Sequence, residues 1–399
     1  MPPNVADVTA ETFRELTRER RWLSELDADI LRTQIDVAQI AAPTGAERRR
    51  ARWVAQRLRE IGLSASIDDA GNVVSRAPGA YAGAPVVVCA HLDTVFPKGT
   101  SLDVRREESR LVGPGICDNG RGLAVMLVLA RMIRHCNAAF ARAIEFVATT
   151  GEEGAGDLRG AKYHFAKGPP PFAVIALDGA GDERIVNTAL GSRRFRIVYR
   201  GPGGHSWAAF GTPNTLHAAA RATTRLANLR LGNGGRSALT VSRIGGGMSI
   251  NAIPEEAWLE VDARSTSHAA LVQLEREIRS IAAAAALEEN DRRSAANVSM
   301  TVVVERIGDR PSGRTDEDSA LVTAAIEATR LVGRTAELAT ASTDANAAIA
   351  AGTPAIAIGG GGRGGDAHTS REWFDNTSST AGVERALTIV ATMARLAAD

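Results

Sequence analysis

Three segments of the chain share one construction, an apolar run of strand length that ends on ionisable side chains. Val86-Val87-Val88-Cys89-Ala90 leads into His91. Ala143–Ala148 leads through Thr149-Thr150-Gly151 into Glu152-Glu153-Gly154, and Phe172–Leu177 leads into Asp178-Gly179. Apolar runs without polar alternation belong to strands covered on both faces. Helical periodicity occupies residues 25–64, where Ala42-Pro43-Thr44-Gly45 forces a turn between two helices, and returns at Leu123–Ile133. Strands alternating with helices predict a three-layer α/β domain with a mixed, mostly parallel sheet.

The pattern changes near Asn187. Arg194–Tyr199 alternates like a half-exposed strand, Thr215–Leu229 reads as a helix, and Ala238–Ile244 and Ala257–Ala263 read as two strands. A helix over Ala269–Ala285 and an alternating strand over Val298–Val304 complete a β-α-β-β-α-β order, the ferredoxin-like α+β pattern. This predicts a catalytic domain over 1–188 and 308–399, interrupted by an inserted lid and dimerisation domain over 189–307. A length of 399 residues is ample for two cores. After the insert, the spacing predicts a helix over 319–331 and a strand over Ala355–Ile358, with the glycine run 359–365 as a loop.

In α/β sheets, sites collect at the carboxyl ends of the strands. His91 stands at one such end and offers an imidazole ligand, with Asp93 two residues on as the carboxylate that could orient it. Asp118, within Gly113-Pro114-Gly115-Ile116-Cys117-Asp118-Asn119-Gly120, is a ligand candidate, although the segment by itself reads first as a cap, by Asp118 or Asn119, of the helix that follows. Glu152 and Glu153 are adjacent on an interior glycine-flanked loop and so point in different directions. One can bind a metal while its neighbour faces a reacting water. Asp178 repeats the strand-carboxylate-glycine arrangement, and Asp366-Ala367-His368 supplies a second imidazole.

Histidine and carboxylate ligands suit zinc first, with cobalt or manganese as alternatives. Two ions about 3.5–4 Å apart would need one bridging carboxylate, and would lower the pKa of water and polarise a carbonyl. Glu152 is then placed as general base.

Composition narrows the partners. Lys and Arg total 47 against 46 Asp and Glu, and this balance offers no attraction to nucleic acid or to a membrane surface. No run of about 18 apolar residues is present, and the amino-terminal residues lack the basic and apolar regions of a signal peptide. The three cysteines, Cys89, Cys117 and Cys136, have no metal-binding spacing and read as free thiols in a reducing cytoplasm.

From about Ile40 to Phe374 the chain resembles the M20 family of metallopeptidases. The likeness rests on Asp69-Ala70-Gly71-Asn72-Val73, His91-Leu92-Asp93-Thr94, Gly113-Pro114-Gly115, Glu152-Glu153 and Gly203-Gly204-His205-Ser206. It extends through Ser249-Ile250-Asn251-Ala252-Ile253-Pro254, Asp262-Ala263-Arg264 and Ser342-Thr343-Asp344-Ala345. The resemblance implies two divalent ions, one on His91 and Asp178 and the other on Glu153 and His368, with Asp118 as bridge. It further implies that Glu152 is the base, that Asp93 orients His91, and that His205 stabilises an oxyanion in the partner subunit of a homodimer. Asn251 and Arg264 would hold the substrate's carbonyl or carboxylate, a group that suits an arginine fork.

Two positions depart from the family pattern. Asn119 stands where the family has a second Asp after a cis peptide. Asp178 is Asp, as in peptidase T, where the deacylases carry Glu. The second departure favours short peptides or amino-acid amides over N-acyl amino acids. A respecialised amidase or deaminase and a non-catalytic ligand-binding relative remain as alternatives. Retention of Glu152 with all five ligands speaks against the last. Nucleotide binding by the 359–365 glycines fails for want of a P-loop lysine.

Overall fold

The computed structural model describes residues 4–80, 83–136, 140–232, 236–292 and 298–396. The chain begins with three helices, α1 (Val5–Glu15), α2 (Thr17–Ala38) and α3 (Arg48–Glu60). Strands β1 (Ala65–Ile67), β2 (Val73–Ala77) and β3 (Val86–His91) follow, then α4 (Gly120–His135) and β4 (Ile144–Thr149). Helix α5 (Arg159–Phe165), β5 (Ala173–Leu177) and β6 (Arg184–Ala189) complete the first stretch.

The next stretch contains β7 (Gly191–Arg200), α6 (Thr215–Ala227), β8 (Ser237–Gly246), β9 (Glu256–Ser265), α7 (His268–Asp291) and β10 (Thr301–Arg310). The chain returns through β11 (Gly313–Arg314), α8 (Ala320–Leu331), β12 (Glu337–Ala341), α9 (Ala345–Ala350), β13 (Ala355–Ile358) and α10 (Ser379–Arg395).

Two compact units result. One comprises Met1–Ala189 with Arg314–Asp399, and the other Leu190–Gly313. The insert ends six residues beyond the expected position 307, because β10 runs on past the expected strand and pairs Arg310 with Ser192.

The first unit is built on a nine-stranded sheet of order β1-β2-β4-β3-β5-β13-β6-β11, with β12 also on β6. Its centre, β4-β3-β5-β13, is parallel throughout, while β1, β2 and the β13–β6 pair run antiparallel. All six residues of β3 are buried because both faces are covered. Val86, Val88 and Ala90 pack into the larger core with α2, α3, α4, α8 and α10. Val87 and Cys89 face the smaller core with α5 and α9. This is the mixed, mostly parallel three-layer arrangement expected of uninterrupted apolar strands.

Some elements lie outside the expected set. The buried side of α1 includes Thr9 and Thr12, so no stripe of large apolar residues marks it. Thr9 instead satisfies its hydroxyl on the Val5 carbonyl. Helix α10 is buried nearly all round, including Arg385, Thr388 and Thr392, and has no polar face to mark its period. Strands β1, β2, β6, β11 and β12, short or interrupted by polar residues, also escape the apolar-run criterion, and the end of the glycine run forms a strand at Arg363–Gly365.

The second unit is a four-stranded antiparallel sheet of order β8-β9-β7-β10, with α6 and α7 packed on one face. Strand β9 alternates buried and half-exposed residues almost without fault, and its Leu259 and Val261 meet Phe195, Tyr199, Leu274 and Ile278 in a separate core.

Arg50 on α3 joins the helical layer to the sheet's carboxyl end. It is fully buried and donates to the carbonyls of Ile40 at 2.6 Å and Leu92 at 2.8 Å, just beyond β3. Arg50→Met leaves those two carbonyls without their donor, at about 1–3 kcal/mol each. Urea unfolding of that variant is expected to show a loss of roughly 2–6 kcal/mol.

Candidate metal centre

The parallel strands β4, β3 and β5 are neighbours, so their carboxyl ends lie side by side. His91 is the last residue of β3. Beyond β4 the backbone turns at Gly151, whose φ of +64° is the left-handed conformation that glycine adopts freely, and presents Glu152 and Glu153. Asp178 follows β5 directly. Asp118 precedes α4, whose amino end is capped by Asn119 through its side-chain acceptance from Gly122 N. The Asp118-Asn119 peptide is cis. Asn119 also donates to Leu177 O at 2.8 Å and accepts from Gly179 N at 3.2 Å, tying the Asp118 turn to the end of β5. Gly122 is required by this closeness, since a Cβ there would lie 2.1 Å from Asn119 Oδ1.

All five candidate ligands meet in this unit. Asp118 Oδ1 lies 3.0 Å from His91 Nε2, and Asp118 Oδ2 lies 3.0 Å from His368 Nε2. His368 Nε2 is also 2.9 Å from Glu153 Oε1, and His91 Nε2 is 3.9 Å from Asp178 Oδ1. Potential ligand atoms of His91, Asp118 and Glu153 all fall within 4.8 Å of one another. Glu152 is buried beside Glu153 at the same turn. The His368 side chain is 51% exposed and that of His91 3%, so the cluster opens to solvent on the His368 side.

Asp93 does more than the sequence suggested. The nearer contact of His91 Nδ1 is the Asp93 backbone carbonyl at 3.1 Å, with the Asp93 carboxylate at 3.6 Å. That carboxylate accepts the amides of Glu152 and Glu153, each at 2.9 Å, and the Thr44 hydroxyl at 2.8 Å. Glu47 accepts the amides of Gly45 and Gly151.

Glu372 was not among the expected residues. It is fully buried and accepts the amides of Gly115, Cys117 and Asp118 at 3.0, 2.7 and 2.7 Å. Its place four residues after His368, within a polar stretch, gives little sign of burial; only the following Trp373-Phe374 hints at a covered segment.

Charge is crowded here. Burial alone would raise Asp118, but its contacts with His368 and His91 hold it well below the usual carboxylate range. Burial pushes Asp178 up to about 7, with the Asp118 charge adding to the rise. Burial and Asp118 likewise raise Glu153. Burial opposes charge on His91, yet Asp118 and Asp93 raise it well above the ordinary histidine value. The bond to Asp118 leads the rise of His368 to about 9. Asp93 falls to about 2, because His91 and the two glutamate amides outweigh its burial.

A divalent cation fits the same place. The donors are imidazole nitrogen and carboxylate oxygen, as borderline metals prefer. Asp118 Oδ1 is buried and, among the described residues, receives no well-directed hydrogen bond despite the nearby His91 ring. The His/Asp/Glu cluster can therefore hold metal.

His205, Asn251 and Arg264 belong to the second unit. His205 pairs in a two-stranded ladder with Ala252, next to Asn251. Its Nδ1 accepts the amides of Trp207 at 3.2 Å and Ala208 at 3.4 Å. Arg264 Nε donates to Asp262 Oδ2 at 2.7 Å.

Comparison with known proteins gives a consistent result. A putative [LysW]-lysine/[LysW]-ornithine hydrolase from Aeropyrum pernix is 30% identical over 232 residues, 58% of this chain and 61% of its own length. The chain thus spans about three fifths of that curated relative. A tripeptidase from Staphylococcus aureus subsp. aureus Mu50 superposes with a TM-score of 0.76 at 20% identity, over 92% of this chain and 99% of the tripeptidase. The YxeP protein of Bacillus subtilis, a dinuclear metal-binding peptidase of the M20 family, superposes with a TM-score of 0.67 at 17% identity, over 92% of this chain and 98% of its own. The model of "Peptidase family M20/M25/M40" matches residues 87–396, which carry every candidate ligand from His91 to His368. The chain belongs to peptidase family M20/M25/M40.

Proposed function

We propose that the protein is a two-metal hydrolase that cleaves an amide bond in a small substrate. The observation that carries this reading is the sharing of Asp118 between the two imidazoles, one carboxylate oxygen to each at 3.0 Å. His91 and Asp178 would hold one ion, Glu153 and His368 the other, and Asp118 would bridge them. Zinc is the first choice by ligand type, with cobalt or manganese next. Bound there, the ions would supply Lewis acidity and lower the pKa of a neighbouring water toward about 7.

The chain's own residues do the rest. Glu152 takes the proton from the attacking water and hands it to the leaving nitrogen, while Asp93 holds the amides of Glu152 and Glu153 in place. Short peptides or amino-acid amides are the favoured substrates, on the strength of Asp178, and N-acyl amino acids come second.

His205 is proposed to act in the site of a second copy, in a homodimer formed through the inserted unit. Because its Nδ1 accepts two amides, the ring proton sits on Nε2, as a donor to an oxyanion requires. Trp207 and Phe210, 86% and 85% exposed, and the exposed Met248 and Ile250 flank His205 and Asn251 in sequence and support a covering partner. Asn251 and Arg264 would bind the substrate's carbonyl or carboxylate. No helix among the described residues is long and apolar enough to cross a membrane, and the buried thiols Cys89 and Cys117 suit the cytoplasm as the setting.

Elemental analysis after loading with zinc should find two ions per chain. Asp118→Ala should lower occupancy of both sites and His368→Ala mainly of one; a wild-type chain that took up one ion or none would overturn the reading. Glu152→Gln should keep its metal and its thermal midpoint, while kcat on a responsive dipeptide or N-acyl amino acid falls by about 10²–10⁴-fold. A variant that loses metal yet keeps its rate per bound ion would show that Glu152 and Glu153 had been exchanged. Mixing Glu152→Ala and His205→Ala chains should restore one working site per mixed dimer. Proven subunit exchange without any return of activity would confine His205 to its own chain or to a structural role.

A further inference from the structure

The turn that carries Asp118 is held by a carboxylate 254 residues away in sequence. Glu372 Oε1 accepts the amides of Cys117 and Asp118, both at 2.7 Å, and its Oε2 accepts Gly115 N at 3.0 Å. Its backbone carbonyl accepts a fourth bond, from Gly113 N at 2.9 Å. The neighbouring strands continue the junction, for Trp373 pairs with Val112 and Phe374 with Leu111. Glu372 also donates its amide to Thr369 O, one residue beyond His368, whose own backbone is left-handed at φ 66°. One residue therefore ties the loop that presents Asp118 to the loop that presents His368.

We infer that Glu372 is the positioning residue of the metal centre, fixing Asp118 at its place between His91 and His368. The physical case rests on the kind of partner chosen. Burial pushes the Glu372 carboxyl up to about 7 against the pull of the three amides; with acceptors on both oxygens, it takes all three and defines the path of residues 115–118 as a side chain carrying an NH2 donor could not. Buried Arg50 feels the charge of Glu372 but gives its donors to the carbonyls of Leu92 and Ile40. The amides of the Asp118 turn are therefore the direct partners of Glu372. Glutamine at this position would keep the shape, but its NH2 group must face at least one backbone N–H, donor against donor. The turn would then shift, and Asp118 with it.

The inference rests on the two-metal reading, and the experiment separates the two. Zinc affinity is measured by competition with a chromogenic chelator for the wild-type chain, Glu372→Gln and Glu372→Ala, alongside the thermal midpoint of each metal-free chain. Positioning predicts that Glu372→Gln remains folded at the titration temperature and binds zinc about 10–100-fold more weakly, the usual effect of losing a residue that orients metal ligands. Zinc at saturating concentration should recover two ions per chain. If wild type binds two ions and Glu372→Gln binds them with unchanged affinity, with only the thermal midpoint lowered, Glu372 is structural and the inference falls. Failure of the wild-type chain to bind zinc would bring down the two-metal reading itself. Should Glu372→Ala not fold, the glutamine variant alone decides.

Discussion

The carboxylate of Asp118 lies between two imidazoles, and most of the first unit is arranged to make that possible. Asp118, Glu153 and Asp178 repel one another wherever they are brought close. Two unit charges about 4 Å apart interact with about 4 kcal/mol at an effective dielectric constant of about 20. A cluster of this kind cannot hold itself together. It needs cations within it, supplied by protonated imidazoles or by metal, and it needs a scaffold rigid enough to resist the repulsion. The parallel centre of the sheet is that scaffold. Adjacent parallel strands end side by side, roughly 4.8 Å apart, so β3, β4 and β5 deliver His91, the Glu152–Glu153 turn and Asp178 to one place.

Around the cluster stands a second row of buried carboxylates, and their partners are largely backbone amides. Asp93 takes the amides of Glu152 and Glu153, Glu47 those of Gly45 and Gly151, and Glu372 those of Gly115, Cys117 and Asp118. Each fixes a loop that would otherwise be free to move its ligand. Arg50, buried near Asp93 and Glu372, adds a positive charge without competing for their oxygens, because its own donors are engaged by carbonyls. Main-chain bonds thus fix the loops of the centre.

Much of this was legible in the sequence, for local reasons. A strand buried on both faces must be apolar almost throughout, so β3, β5 and β13 declared themselves, and β4 did so despite Glu145. An antiparallel sheet with one covered face must alternate, so the strands of the insert were visible as well. The five side chains that meet in the first unit could be named because each stands at a strand end or a glycine turn. Elements that draw their burial from other sources stayed hidden: α1, with Thr9 and Thr12 on its inner side, α10, covered nearly all round, and the flanking strands β1, β2, β6, β11 and β12.

What the sequence determined by itself was therefore the central strands of the first unit, the strands of the insert, the order of the two units and the residue types at the strand ends, because hydrophobic period and glycine placement are local signals. The tertiary structure alone decided that Asp93 accepts the amides of Glu152 and Glu153, and that Glu372 grips the Asp118 turn. Each of these depends on a bond between segments far apart in the chain. Such a bond leaves no periodicity behind, because a carboxylate that accepts buried amides is spelled like one dissolved in water. Only the packed fold, by removing the water, tells the two apart.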